Sequence, residues 1–270
     1  MRMPSILKST LFAAAATLLA TSAAVAGPFG SGGTITTTET SYESLVTKPG
    51  DTLNGIFNVS QINGIGGITY QYGDASNFLV GRFTDFVLDT ATPFVCGPGC
   101  SGFSLLFTGG SLQYYSFASD PFAGGALTSG APTPANQAAA LTAIGLGTLE
   151  LDLDPQLIDL THTLQITVLG TSLASFAQAS TATVYLDIVG GASAGLFTPD
   201  TITNAFTLAL ADVAYQGSAN SQNCSISPRW QVCGTNHATL NVIPEPITVS
   251  LFGAGLAGAA ALRRRKVKKA

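Results

Sequence analysis

The chain has 270 residues, enough for one large or two small domains. Hydrophobic residues make up 46 % of it and charged residues 10 %, against about 25 % charged in an average soluble domain; that balance excludes intrinsic disorder and argues against a helix-rich enzyme. The net charge of −4 hides a segregation: residues 27–243 hold 14 of the 15 acids and only three bases, Lys48, Arg82 and Arg229, for a net −11, while the other eight bases sit near the two ends. Such an acidic body suits positive counterions and is a poor partner for nucleic acid, whose phosphates call for Lys and Arg.

In chain order, the first segment is "MRMPSILKSTLFAAAATLLATSAAVAGP". Arg2 and Lys8 form a basic start, an apolar run follows over about Leu11 to Ala20, and Ala24-Val25-Ala26 is a small-residue cleavage pattern. This is the layout of a secretory signal peptide over residues 1–26, cleaved after Ala26. The apolar run is too short for a membrane span. The body is therefore expected to be exported, with the Sec machinery as its first partner.

Residues 27–242 form the expected extracellular body, and they read as β-rich. Period-two alternation recurs at 33–46, 67–72, 81–90, 102–117, 147–154, 162–170, 182–191 and 206–215. Breakers such as Lys48-Pro49-Gly50-Asp51, Gly109-Gly110 and Thr198-Pro199-Asp200 separate the runs. Many short strands with Gly-rich turns predict an all-β fold, an antiparallel β-sandwich or jelly-roll-like body. The loop "GGALTSGAPTPANQAAA" interrupts the strands and predicts one short helix around Asn136 to Ile144.

Cys96 and Cys100 flank "GPG", and Cys224 and Cys233 flank "SISPRWQV". Export favours oxidation. Four cysteines allow three connectivities, and closeness in sequence favours the two local pairs. The C-x3-C spacing is not the C-x2-C of zinc sites.

Nothing in the body assigns a catalytic residue. Its only histidines are His162 and His237, and no H-E-x-x-H helix occurs. His162, at the start of a strand, reads as solvent-facing. Asp85, Asp89, Asp187 and Asp212 read as scattered. Glu150, Asp152 and Asp154 alternate with leucines, so a strand would put the three carboxylates on one face. The ordinary reading is the wet face of a half-buried strand; the sharper one is a Ca²⁺ site without the usual D-x-D-x-D-G loop. No other cofactor is expected. Tyr70, Tyr72, Tyr114, Tyr115 and Trp230 could stack on sugar rings, but core packing is the favoured reading.

Near the end stands "IPEPITVSLFGAGLAGAAALRRRKVKKA", residues 243–270. "GAGLAG" matches the G-x-G-x-x-G fingerprint, but no strand-helix-strand unit surrounds it and no acid follows Glu245, so nucleotide binding is excluded. Residues 247–262 carry no charge, and Arg263, Arg264, Arg265 and Lys266 begin a basic cluster over 263–269. Apolar segment then basic cluster is a stop-transfer layout that keeps the cluster cytoplasmic and the body outside. The small residues suit a membrane helix.

Pro244-Glu245-Pro246, the apolar Gly- and Ala-rich segment and the arginine cluster together resemble the PEP-CTERM sorting tail of exopolysaccharide-producing Gram-negative bacteria. The resemblance covers residues 243–270. It implies recognition at Pro244, Glu245 and Pro246 by the membrane enzyme exosortase, cleavage there, and release to or attachment at the cell surface. "GDTLNGIFNVSQI", "FTGGSLQYYSF", "YLDIVGG" and "AFTLALADVAY" also resemble PEP-CTERM surface proteins linked to floc and biofilm formation. The resulting expectation is a non-enzymatic, exosortase-processed surface or matrix protein associated with exopolysaccharide. A secreted polysaccharide-acting hydrolase is the alternative, distinguishable by two carboxylates about 5–10 Å apart in a groove.

Overall fold

β1 (Gly33–Glu43) is paired on both of its edges. On one side it meets β12 (Val232–Val242), from Gly33 opposite Val242 to Glu43 opposite Val232. On the other it meets β2 (Thr52–Gly64), from Thr36 opposite Asn63 to Glu43 opposite Gly55. The computed structural model describes Phe29, residues 32–171, Leu173, residues 180–220, Cys224 and residues 228–243. Its remaining strands are β3 (Gly67–Gln71), β4 (Phe78–Gly97), β5 (Cys100–Phe117), β6 (Thr148–Pro155), β7 (Leu164–Leu169), β8 (Ser180–Gly190), β9 (Ile202–Thr203), β10 (Leu210–Ala211) and β11 (Val213–Asn220).

From β1 the main sheet continues through β2, β4, β5, β6, β8 and β11 to β12, antiparallel throughout, and returns to β1. Two staves are broken. β3 and β4 lie end to end along β2, and β6 and β7 lie end to end between β5 and β8. The result is an eight-stave up-and-down barrel. The all-β, antiparallel expectation holds; the sandwich or jelly-roll arrangement does not. A sandwich keeps free edges on two sheets, whereas here the strand that would be an edge has partners on both sides.

The interior is packed by alternate residues of every stave, among them Phe57, Leu79, Leu105, Phe107, Leu151, Leu153 and Val213, all fully buried. The crossing of β2 and β4 uses two reciprocal pairs, Gly55 opposite Phe83 and Gly81 opposite Phe57. Each ring lies over the glycine across from it. A Cβ on Gly55 would stand 2.2 Å from Phe83 Cζ, and one on Gly81 2.0 Å from Phe57 Cζ.

A second, smaller core covers the outside of β2 and β4. There the helix α1 (Pro134–Ile144) and Trp230 pack Ile144 and Leu127 against Ile56, Val80 and Tyr115. α1 matches the helix expected from sequence and starts at the Thr133 N-cap, whose hydroxyl accepts from the Asn136 N–H. Its last turn is held by Arg82, which donates to the Leu141 carbonyl at 3.0 Å. Trp230 donates its indole N–H to the Leu127 carbonyl. Both local disulfides are present: Cys96–Cys100 closes the β4–β5 hairpin tip, and Cys224–Cys233 ties the second layer to β12. Each closes a short loop, so each contributes about 2–3 kcal/mol at most.

Gly81→Val should push the Phe57 ring off its seat and disturb Tyr114, whose ring it meets edge-on at 5.1 Å. Overpacking of this kind costs about 1–3 kcal/mol. A urea unfolding midpoint equal to that of the natural protein would contradict the packing described.

Candidate functional site

A polar row runs through the barrel on β1. Period two sends Thr37, Glu39, Ser41 and Glu43 inward, beside Ile35. Thr37, Glu39 and Ser41 are each buried to 0 % exposure. A carboxyl in that position is tolerable only with hydrogen-bond partners, and Glu39 has three. Thr37 Oγ1 and Tyr114 OH donate to its Oε1 at 2.6 and 2.7 Å, and Tyr215 OH donates to Oε2 at 2.8 Å. Thr37 Oγ1 in turn accepts from the Ala238 N–H. Burial raises the Glu39 carboxyl above its ordinary range, against the pull of these hydroxyls. Burial, then the Glu39 charge, pushes both phenols well above theirs, so they remain donors.

Glu43 ends the row differently. Ser41 Oγ donates to its Oε1 at 2.7 Å, and that is its one side-chain hydrogen bond among the described residues. Glu43 is half-buried and lines a cavity of about 50 Å³. Burial pushes its carboxyl up to about 7, the Ser41 bond lowering it in part. The cavity touches β1, β2, β4, β5, β7, β8, β11 and β12, so every stave contributes to its wall.

Outside the barrel, β6 carries the acid row as expected, with Leu151 and Leu153 inward. Glu150 accepts from Ser116 and Ser193, and Asp152 accepts from the Gln113 amide. Asp154 lies opposite Asp187 on β8. Among the described residues no group of three His, Cys, Asp or Glu side chains is arranged to hold a metal ion. Asp187 and Asp212 are not scattered. Burial, with the charges of Asp212, Asp200 and Asp154, raises the Asp187 carboxyl, while the Gln156 amide lowers it. Asp212 is itself 7 % exposed and accepts from the Ile188 and Asp200 N–H groups.

His162 is not simply solvent-facing. It sits in the excursion between β6 and β7 with its side chain 12 % exposed, Nε2 3.0 Å from Asp89 and Nδ1 2.7 Å from Asp159. The bonds to Asp89 and Asp159 hold the imidazole pKa above its usual value. The Thr161 and His162 amides, with the imidazole, hold Asp159 well below the carboxylate range. Thr163 fastens the end of the excursion, its hydroxyl donating to the Gly109 carbonyl at 2.6 Å. His237 donates from Nδ1 to the Thr37 carbonyl on β1. Of the aromatics that could stack on sugars, Tyr70, Tyr114, Tyr115 and Trp230 are buried, as the core reading expected, and Tyr72 is half-buried.

The cleavage residues Ala24 and Ala26, the motif Pro244, Glu245 and Pro246, the apolar segment 247–262 and the cluster Arg263, Arg264, Arg265 and Lys266 lie outside the described residues. Among the described residues no helix is long and apolar enough to cross a membrane. β12 ends at Val242, whose neighbour across the sheet is Gly33, and the Ile243 N–H donates to the Leu196 carbonyl at 2.8 Å. Sequence reasoning missed Glu39 and Glu43: in "TETSYE" both faces carry polar residues, and nothing local says which one is inside.

The description "PEP-CTERM protein-sorting motif" matches residues 242–266. No curated protein and no solved structure matches the chain.

Two pH dependences follow. Glu43 has its pKa raised on folding from 4.5 to about 7, so its contribution is present below about pH 4.5 and lost as pH rises through 7. Glu43→Gln should flatten the fall in unfolding free energy between about pH 5 and pH 8, a fall of up to about 3 kcal/mol; an unchanged slope would rule out Glu43 as its source. The His162 pKa is also raised, so its contribution is full below about pH 6.5 and lost as pH rises through the folded value. Protection factors of the amides at 157–163, which remove the intrinsic base-catalysed rate, should therefore fall at alkaline pH in the natural protein. In His162→Gln they should be low at acid and alkaline pH alike, and a variant whose protection factors keep the natural pH dependence would refute the clamp.

Proposed function

We propose that this chain, which carries a PEP-CTERM protein-sorting motif at residues 242–266, is a non-enzymatic surface or matrix protein whose barrel works in association with exopolysaccharide in biofilm or flocs. The motif implies an exported precursor, anchored in the membrane and targeted to exosortase. That motif is the observation that carries the reading.

The barrel geometry supports it. The motif begins where the last stave ends, and Val242 lies beside Gly33 at the start of β1. The anchor therefore leaves from one pole of the barrel, the same pole at which the body's first strand begins. The opposite pole is where β1 ends at Glu43 and β12 begins at Val232. The body presented there has a net charge of −11 over residues 27–243. Such a surface attracts cations, and cations bridge acidic proteins to acidic polymers. A closed sheet with two short disulfide loops suits exposure outside the cell.

Two measurements test the proposal. The mature protein should be shorter at its C-terminus in cells with exosortase than in cells without it; an identical mass in both means that the tail is an anchor only. Deleting the gene should weaken cell aggregation while the purified body leaves matrix polymers intact. Unchanged aggregation together with polymer cleavage would favour the hydrolase.

A further inference from the structure

Glu39 and Glu43 stand on one strand, on one face, in one interior, and are treated differently. Glu39 is closed off by three hydroxyl donors. Glu43 has one donor on Oε1, and nothing among the described residues bonds to Oε2. Asn236, which lies opposite Glu39 and Gly217 on the neighbouring strands, also lines the cavity at 4 % exposure, and its side-chain amide makes no hydrogen bond among the described residues. Buried polar groups in proteins almost always have partners, and leaving one without costs more than the bond itself would contribute. The remaining wall is mostly apolar, with Leu53, Phe83, Phe86 and Ile166 facing the same space.

We propose that this cavity is a binding site for a short primary alkylammonium ion, its head donating to Glu43 and its hydrocarbon lying against Phe83, Phe86 and Leu53. The chemistry selects that class. A carboxylate repels anions, and an apolar guest would leave Glu43 Oε2 without a partner. A cation with N–H donors supplies that partner, and aromatic faces favour its charge. The volume of about 50 Å³ exceeds the roughly 10–15 Å³ that one water needs and limits the guest to a few heavy atoms. Because Glu43 is the last residue of β1, the cavity reaches toward the end of the barrel opposite Gly33 and Val242. The raised pKa of Glu43 fits a carboxyl lacking a counterion. This inference does not depend on the sorting reading.

The test is calorimetric titration of the purified processed protein with ethylammonium chloride at about pH 8, where Glu43 is ionised, and with ethanol as the uncharged probe. Saturable binding of ethylammonium is expected, about tenfold weaker or absent for ethanol and for Glu43→Gln. Glu43→Gln keeps the side-chain shape. Ala182→Leu, which fills the cavity while sparing Glu43, should also abolish binding, and circular dichroism confirms that both variants are folded. Equal binding of ethylammonium by Glu43→Gln, equal binding of ethanol, or no saturable heat with the natural protein would each overturn the proposal; the last result assigns the space to water.

Discussion

Glu39 is a carboxyl group at the centre of a barrel, on the strand that closes it, and the sheet around it is arranged so that the group is never without partners. Its donors come from three places: Thr37 on β1 itself, Tyr114 on β5 and Tyr215 on β11. These strands are not neighbours, so the hydrogen bonds cross the interior and fix the staves relative to one another. The same phenols are packed by Phe57, which can reach them because Gly81 leaves room. An unpaired buried carboxyl costs several times what one hydrogen bond contributes. Any arrangement that moves β1 away from β5 and β11 is therefore penalised, which makes closure specific as well as stable.

The charges are distributed with equal consequence. Inside are two carboxyls, both raised by burial. Outside are aspartates and glutamates engaged by serine hydroxyls, amides and one imidazole. Among the described residues the barrel thus carries its acidity on a surface held in place by hydrogen bonds rather than by ion pairs with the body's three Lys and Arg side chains. That leaves cations from solution as the counterions.

Much of the fold is legible in the sequence. Alternation located most of the strands, the Thr-Pro-Ala-Asn segment located α1, and proximity paired the cysteines. The closure was not legible, and the reason lies in two strands. β2, "TLNGIFNVSQING", and β12, "VCGTNHATLNV", are rich in Asn and Gly, which have low strand propensity. They flank β1, so without them β1 reads as an edge and the fold as a sandwich. The acid row on β6 was legible because leucines mark its other face. The interior row on β1 was not, because polar residues occupy both faces and burial is decided by partners more than 70 residues away, Tyr114 and Tyr215. His162 and its two aspartates escaped for the same reason: Asp89 is 73 residues distant in the chain.

The central structural claim is that β1 is paired on both edges, and amide hydrogen exchange along β1 tests it directly. In an antiparallel edge strand alternate amides point to solvent and exchange quickly. With β2 and β12 both in place, the consecutive amides of Glu39, Thr40, Ser41 and Tyr42 should be protected as one block. Alternating fast and slow exchange over those four residues would contradict the closed barrel and return the fold to an open, sandwich-like sheet.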